Sequence, residues 1–198
     1  MFKFFLLKHK NPKCKPLTAE ELAFFNGDEF FNGAGLNIRN QFLSSLYSSP
    51  EDIDLYRLFY YGSGLDKNPI TDDEKIAVIN QNGWNREPQG QCEKNSLMEI
   101  DDVLKRNIGL TLANTKHKGL NNLTFPEQYN AYYHYRDDTN YRRSVFFYTG
   151  IMMGNLVRLF YNDEFYGDGE KILTLKKLDD GFFNFVSNEM KLSPVISK

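Results

Sequence analysis

The densest set of side chains able to do chemistry lies in Tyr132-Tyr-His-Tyr-Arg-Asp-Asp-Thr-Asn-Tyr-Arg-Arg143. An imidazole followed by two carboxylates in a polar rim suits general acid/base work, with one carboxylate orienting the ring. His134, Asp137 and Asp138 are therefore the candidate catalytic residues. The plainer reading is preferred: a strand that ends in an exposed turn, where Asp138 and Asn140 supply turn hydrogen bonds and the arginines lie in solvent.

Other candidate chemistry is thinner. His9, His117 and His134 are the only histidines, and no two are four residues apart, which argues against a histidine metal site. Asp72-Asp73 and Asp101-Asp102 fall at expected helix starts, where the helix dipole already favours them. Asp163, Glu164 and Asp168 lack the ligand spacing and terminal glutamate of a calcium loop, so a hairpin is expected there. Gly33-Ala-Gly35 precedes a helix without the Gly-Lys-Ser/Thr of a phosphate loop. Ser44 and Ser63 are not in a nucleophile-elbow context. Cys14 and Cys92 are too few for a disulfide framework and have no partners at zinc-site spacing. No cofactor motif is present, so no metal and no cofactor is assigned.

Aromatic residues are abundant, with 17 Phe and 12 Tyr beside the single Trp84. A phenylalanine core with tyrosines at its margins explains most of them. Tyrosine also suits a contact surface, because it joins a large apolar body to a polar tip. Tyr132, Tyr133, Tyr135, Tyr141 and Tyr148 are the candidate binding residues, with an unidentified protein or small ligand as partner.

The elements that must position these residues differ between the two halves of the chain. Thr18-Ala-Glu-Glu21, Thr71-Asp-Asp-Glu74 and Ser96-Leu-Met-Glu99 are capping boxes that open helices. Asn37 caps a further helix, Ser49-Pro50-Glu51-Asp52 starts another that carries Ile53 to Phe59, and Thr124-Phe-Pro-Glu127 starts a short helical turn. After Tyr129 the pattern becomes short strands at 129–135, 144–149, 155–161, 171–177 and 182–187, separated by glycine turns. The expected fold is α+β, with about five N-terminal helices packed on a C-terminal antiparallel sheet of four to five strands. Residues 1–17 read as a flexible basic tail, and 18–198 as a single domain with a helical part over 18–128 and a β meander over 129–188.

The net charge of −2 argues against a nucleic-acid footprint. Five lysines precede the first acid, Glu20, so the tail could make a weak contact with an anionic membrane surface. Its apolar run of about four residues falls short of the ~7–15 of a signal peptide core. No segment approaches the ~18 apolar residues of a membrane span.

Ser49–Leu55, Asp138–Arg142, Ile172–Lys176 and Gly181–Asn188 together resemble an uncharacterised group of secreted or lipoprotein-like chains from gut Gram-positive bacteria. That resemblance covers roughly residues 18–188, implies an extracytoplasmic setting and carries no catalytic residue. The order of elements is similar to that of NTF2-like and cystatin-like domains, whose helices pack on a curved sheet and enclose a pocket. The expected role is a non-enzymatic binding or interaction domain. The alternative is a small hydrolase or isomerase that uses His134 and a nearby aspartate.

Overall fold

The computed structural model describes residues 14–65, 69–138, 140–167 and 169–192. Residues 1–13, which make up most of the expected tail, lie outside them. The chain is α+β, but the expected plan of five helices packed on one four- to five-stranded sheet is overturned. Five strands form a large antiparallel sheet, two more form a separate one, and the five helices are short.

The large sheet has the order β1-β4-β5-β6-β7. β1 (Cys14–Pro16) is an edge strand that pairs with β4 (Phe147–Met153), although this stretch was expected to belong to the tail. β5 (Leu156–Asn162), β6 (Glu170–Lys177) and β7 (Phe183–Met190) continue the meander. The turn signals around Gly154 and Gly181 fall between these strands as expected. The two-stranded sheet pairs β2 (Gln91–Ser96) with β3 (Ala131–Arg136). The expected first strand of the meander therefore belongs elsewhere, and its partner lies in the half expected to be helical. Gln-Cys-Glu-Lys-Asn-Ser has no helical period and little apolar character, so nothing in it marked a strand. Its pairing comes from β3.

The three capping boxes form as expected and start α1 (Ala19–Phe25), α4 (Asp72–Gln81) and α5 (Leu97–Ile108). α5 ends at Gly109, whose φ of 71° is the left-handed conformation that glycine adopts at no steric cost. α2 (Ile38–Gln41) is only one turn long, capped by Asn37. The helix expected after Ser49 breaks in two. A 3-10 turn covers Pro50–Asp52, and Asp54 then caps α3 (Leu55–Phe59). Near Thr124 the expected turn forms later, at Glu127–Tyr129. Thr124 instead exchanges two backbone hydrogen bonds of 2.8 Å with Tyr133 of β3. No described helix is long and apolar enough to cross a membrane.

Helices this short cannot form a layer. The inner face of the large sheet, with Phe147, Val157, Leu159, Tyr161, Leu173, Leu175 and Phe185, is covered largely by the irregular run from Phe25 to Phe59 and by one face of α5. Phe42 stacks on Phe185 at 4.5 Å, and Phe31 meets Phe147 at 5.1 Å. Backbone buried in this way needs partners for every N–H and C=O, and asparagine side chains supply many of them. Asn26 Oδ1 accepts from the Phe147 N–H at 2.9 Å while its Nδ2 donates to the Phe147 carbonyl at 3.0 Å. Asn32 treats Val145 the same way, at 2.7 and 3.1 Å. Asn188 of β7 donates to the Ser45 carbonyl at 2.9 Å and accepts from the Tyr161 hydroxyl at 2.9 Å.

A second, smaller apolar cluster, Val78 with Ala131 and Tyr133, joins α4 to β3. Its polar centre is Glu74, which is almost fully buried. Burial opposes a charge there, but Lys94 at 2.5 Å and the Tyr133 hydroxyl at 2.6 Å outweigh it. The Glu74 carboxyl is held down at about 2. A carboxyl whose pKa is lower folded than unfolded contributes stability in full above its unfolded value of about 4.3 and loses it as pH falls through the folded value. Urea midpoints should therefore fall between about pH 4.3 and pH 2, and Glu74→Gln should flatten that part of the profile while lowering stability at pH 7. An unchanged profile in the variant contradicts this assignment.

Candidate functional site

A groove of about 1280 Å³ opens where the turn after α1, the end of α5 and the β6–β7 turn meet. Three short-range rules build it. Asn26 and Gly27 end α1, and the amides of Asn26 and Asn32 hold the following loop against the chain at Val145 and Phe147. Gly109 stops α5 so that Lys105, Arg106 and Asn107 border the opening. Asp180-Gly181 turns the chain between β6 and β7 and brings out Phe182 and Phe183.

The walls are aromatic. Phe24, Phe25, Phe30 and Phe183 form one cluster with ring centroids 5.1 to 6.2 Å apart. Phe24 is 48% exposed and Phe182 is 62% exposed. Phe24, in the last turn of α1, faces the groove. The charges are balanced, with Asp28, Glu29 and Asp180 against Arg39, Lys105 and Arg106. The Arg39 guanidinium lies 4.8 Å from the Phe30 ring and donates to the Glu29 carbonyl at 3.0 Å, and burial lowers its pKa. In one wall, Asn184 Oδ1 is buried with no hydrogen-bond partner among the described residues.

The residues expected to carry acid/base chemistry lie elsewhere, on β3 and just beyond it. His134 is 5% exposed, and its Nε2 lies 2.7 Å from the Tyr60 carbonyl. A carbonyl can only accept, so Nε2 carries a proton, and Nδ1 is buried. The ring packs against Tyr56 and Tyr60 at 5.7 and 5.2 Å. His134, Tyr135 and Asp137 share a cleft of about 370 Å³ with Asn122 and Thr124. Asp138 makes its hydrogen bonds to Tyr61 at 2.7 Å, to Tyr60 at 3.3 Å and to the Asn140 N–H, the last being the expected turn bond. Burial, reinforced by the charge of Asp138, pushes the Tyr60 hydroxyl up to about 12.

The five candidate tyrosines do not share a face. Tyr133 is fully buried on Glu74, so it is withdrawn from any contact surface. Tyr132 packs on Phe125 at 4.6 Å, and Tyr135 meets Trp84 at 5.9 Å and bonds Glu87. Tyr141 lies against Tyr61 at 5.5 Å, while Tyr148 is on the other sheet and donates to Glu170. The alternation that put several tyrosines in one short run is also what sends β3 side chains to opposite sides.

Nor are all the arginines in solvent. Arg142 is buried, and Asp163 accepts from it at 2.5 Å and from Lys171 at 2.8 Å. Asp163 thus serves an internal ion cluster, and Asp168 of the imagined calcium loop lies outside the described residues. Ser63 is buried and accepts from Leu65, and Ser44 is buried as well. Burial pushes the Cys92 thiol up to about 11.

The groove was missed because its parts are distant in sequence and each is unremarkable alone. Its traces are Phe24 at the end of α1 and Phe182-Phe183 directly after a glycine turn, both places where solvent was to be expected. No protein-family model matches this chain, and neither the curated proteins nor the solved structures give a significant match.

A Cβ on Gly109 would meet Asn184 Nδ2 at 2.9 Å and would sit on left-handed backbone. Gly109→Ala is expected to cost about 1–2 kcal/mol in urea unfolding and to move the Asn184 resonances in an NMR spectrum. A neutral effect on both contradicts the described cap.

Proposed function

We propose that this chain is a non-enzymatic binding domain whose partner is a peptide segment with aromatic or large aliphatic side chains, held in the groove beside Phe24 and Phe182. The observation that carries this reading is the groove itself. It exceeds the ~300–1,000 Å³ usual for small-molecule sites, and it keeps two large phenylalanines in contact with water. Exposed apolar side chains grouped in a concave site commonly mark an interaction surface. The balanced wall charges favour an uncharged segment, and the buried Asn184 Oδ1 offers an acceptor to a peptide N–H. An extracytoplasmic setting, implied by the resemblance to secreted and lipoprotein-like chains, belongs to the same proposal.

A second reading, a small hydrolase or isomerase, draws on the cleft that His134 and Asp137 share. It requires Nδ1 of His134 to act as the base, since Nε2 is spent on the Tyr60 carbonyl; Nδ1 is buried, which counts against this reading, and Asp138 has no direct part in it.

The test is selection of random dodecapeptides displayed on phage against the full chain, followed by titration of the enriched peptides. Enriched peptides should share aromatic residues. Phe182→Ser should weaken them about tenfold or more, in line with a hot-spot aromatic, and His134→Ala should leave them unchanged. Equal enrichment by a Phe24→Ser, Phe182→Ser double variant contradicts the proposal.

A further inference from the structure

A sheet covered on one face should alternate apolar and polar residues along its strands. The large sheet does not. Ile151, Met153, Leu156, Phe160 and Ile172 alternate with the core-facing residues of β4, β5 and β6, so they lie on the opposite face. Each is partly exposed, and none belongs to either apolar cluster. The register arranges the charged residues of this face by sign. Leu156 lies opposite Lys176 and Arg158 opposite Thr174, while Ile172 lies opposite Glu189 and Asn162 opposite Glu170. The face therefore carries Arg158 and Lys176 towards one end of the strands and Glu170 and Glu189 towards the other, where Lys191 pairs with Glu170 at 2.9 Å and leaves one net negative charge, with apolar side chains between. Neither Arg158 nor Lys176 has an ion-pair partner among the described residues.

We propose that this face is covered by a second copy of the chain, the two large sheets packing face to face. Two copies can meet in this way about a two-fold axis lying between the sheets, and the axis can run along the strands or across them. An axis along the strands sets Lys176 near Lys176 and Glu170 near Glu170. An axis across the strands sets β6 on β6 and the basic end of each copy on the acidic end of the other, with Lys176 near Glu170. Charge selects the second arrangement. The contact is isologous and closes as a dimer. Four strands of seven or eight residues and the three residues of β1, spaced about 4.8 Å apart and rising about 3.3 Å per residue, make a face of about 520 Å². Two such faces bury about 1,000 Å², the least that a specific interface needs. The groove opens elsewhere, so the dimer does not depend on the binding proposed above.

Sedimentation equilibrium of the full chain tests this. The expected mass is about twice the 23.1 kDa of one chain. Phe160→Lys should give a monomer with an unchanged circular dichroism spectrum. Lys176→Glu should weaken the dimer by about tenfold or more, and adding Glu170→Lys should restore it to within about threefold. The charge variants keep the test independent of whether the Phe160 variant folds. A monomer up to millimolar concentration overturns the proposal, whether the face is then open or covered by another segment of the same chain. A dimer indifferent to all three substitutions also overturns it.

Discussion

Most of this architecture depends on satisfying buried backbone that has no regular structure. The run from Asn26 to Asp54 contributes Phe30, Phe31, Phe42, Leu43, Tyr47 and Ile53 to the core, yet only one helical turn and one 3-10 turn lie within it. Each unpaired polar group there would cost about 1–3 kcal/mol. Primary amides answer that demand because they carry donor and acceptor side by side, as a strand residue does. Asn26 and Asn32 pair with Phe147 and Val145, Asn37 and Asn40 hold the Phe30 and Phe31 carbonyls, and Asn188 holds Ser45. The arrangement is incomplete: Asn40 Oδ1, Gln41 Nε2 and Ser44 Oγ are buried with no partner among the described residues. Specificity of this kind therefore carries a cost in stability.

This constraint also explains how much of the fold was legible. Capping boxes are local and strong, and the three at Thr18, Thr71 and Ser96 start α1, α4 and α5 as read. The last four strands of the meander are local too, because alternation and glycine turns announce them. What failed was long-range. β2 exists because β3 pairs with it, β1 because β4 does, and neither Gln91–Ser96 nor Cys14–Pro16 has the composition of a strand. The asparagines were visible only as turn and cap formers. Nothing in one sequence says that an amide at 32 will reach Val145 or that one at 188 will reach Ser45.

The candidate sites show the same division. His134 and Asp137 do border one cleft, because they are near in sequence and the strand ends between them. The tyrosine set was assembled on composition and dispersed on the strand period, with Tyr133 taken into the polar centre around Glu74. Buried ion clusters took up other residues that looked functional, as with Arg142 and Asp163. The groove depends directly on the amide-held loop, since the loop that Asn26 and Asn32 secure brings Phe30 against Phe24 and Phe183. A binding surface of phenylalanines can stay open to water only while the backbone beneath it is fixed.

The most direct measurement is native-state hydrogen exchange at the Val145 and Phe147 N–H groups. Both donate to asparagine side chains, at 2.7 and 2.9 Å. If those amides do the work of a neighbouring strand, the two N–H groups exchange as slowly as those of β5, and Asn26→Ala with Asn32→Ala returns them to loop-like rates. Rapid exchange in the unaltered protein, at the pace of an exposed loop, would contradict the account.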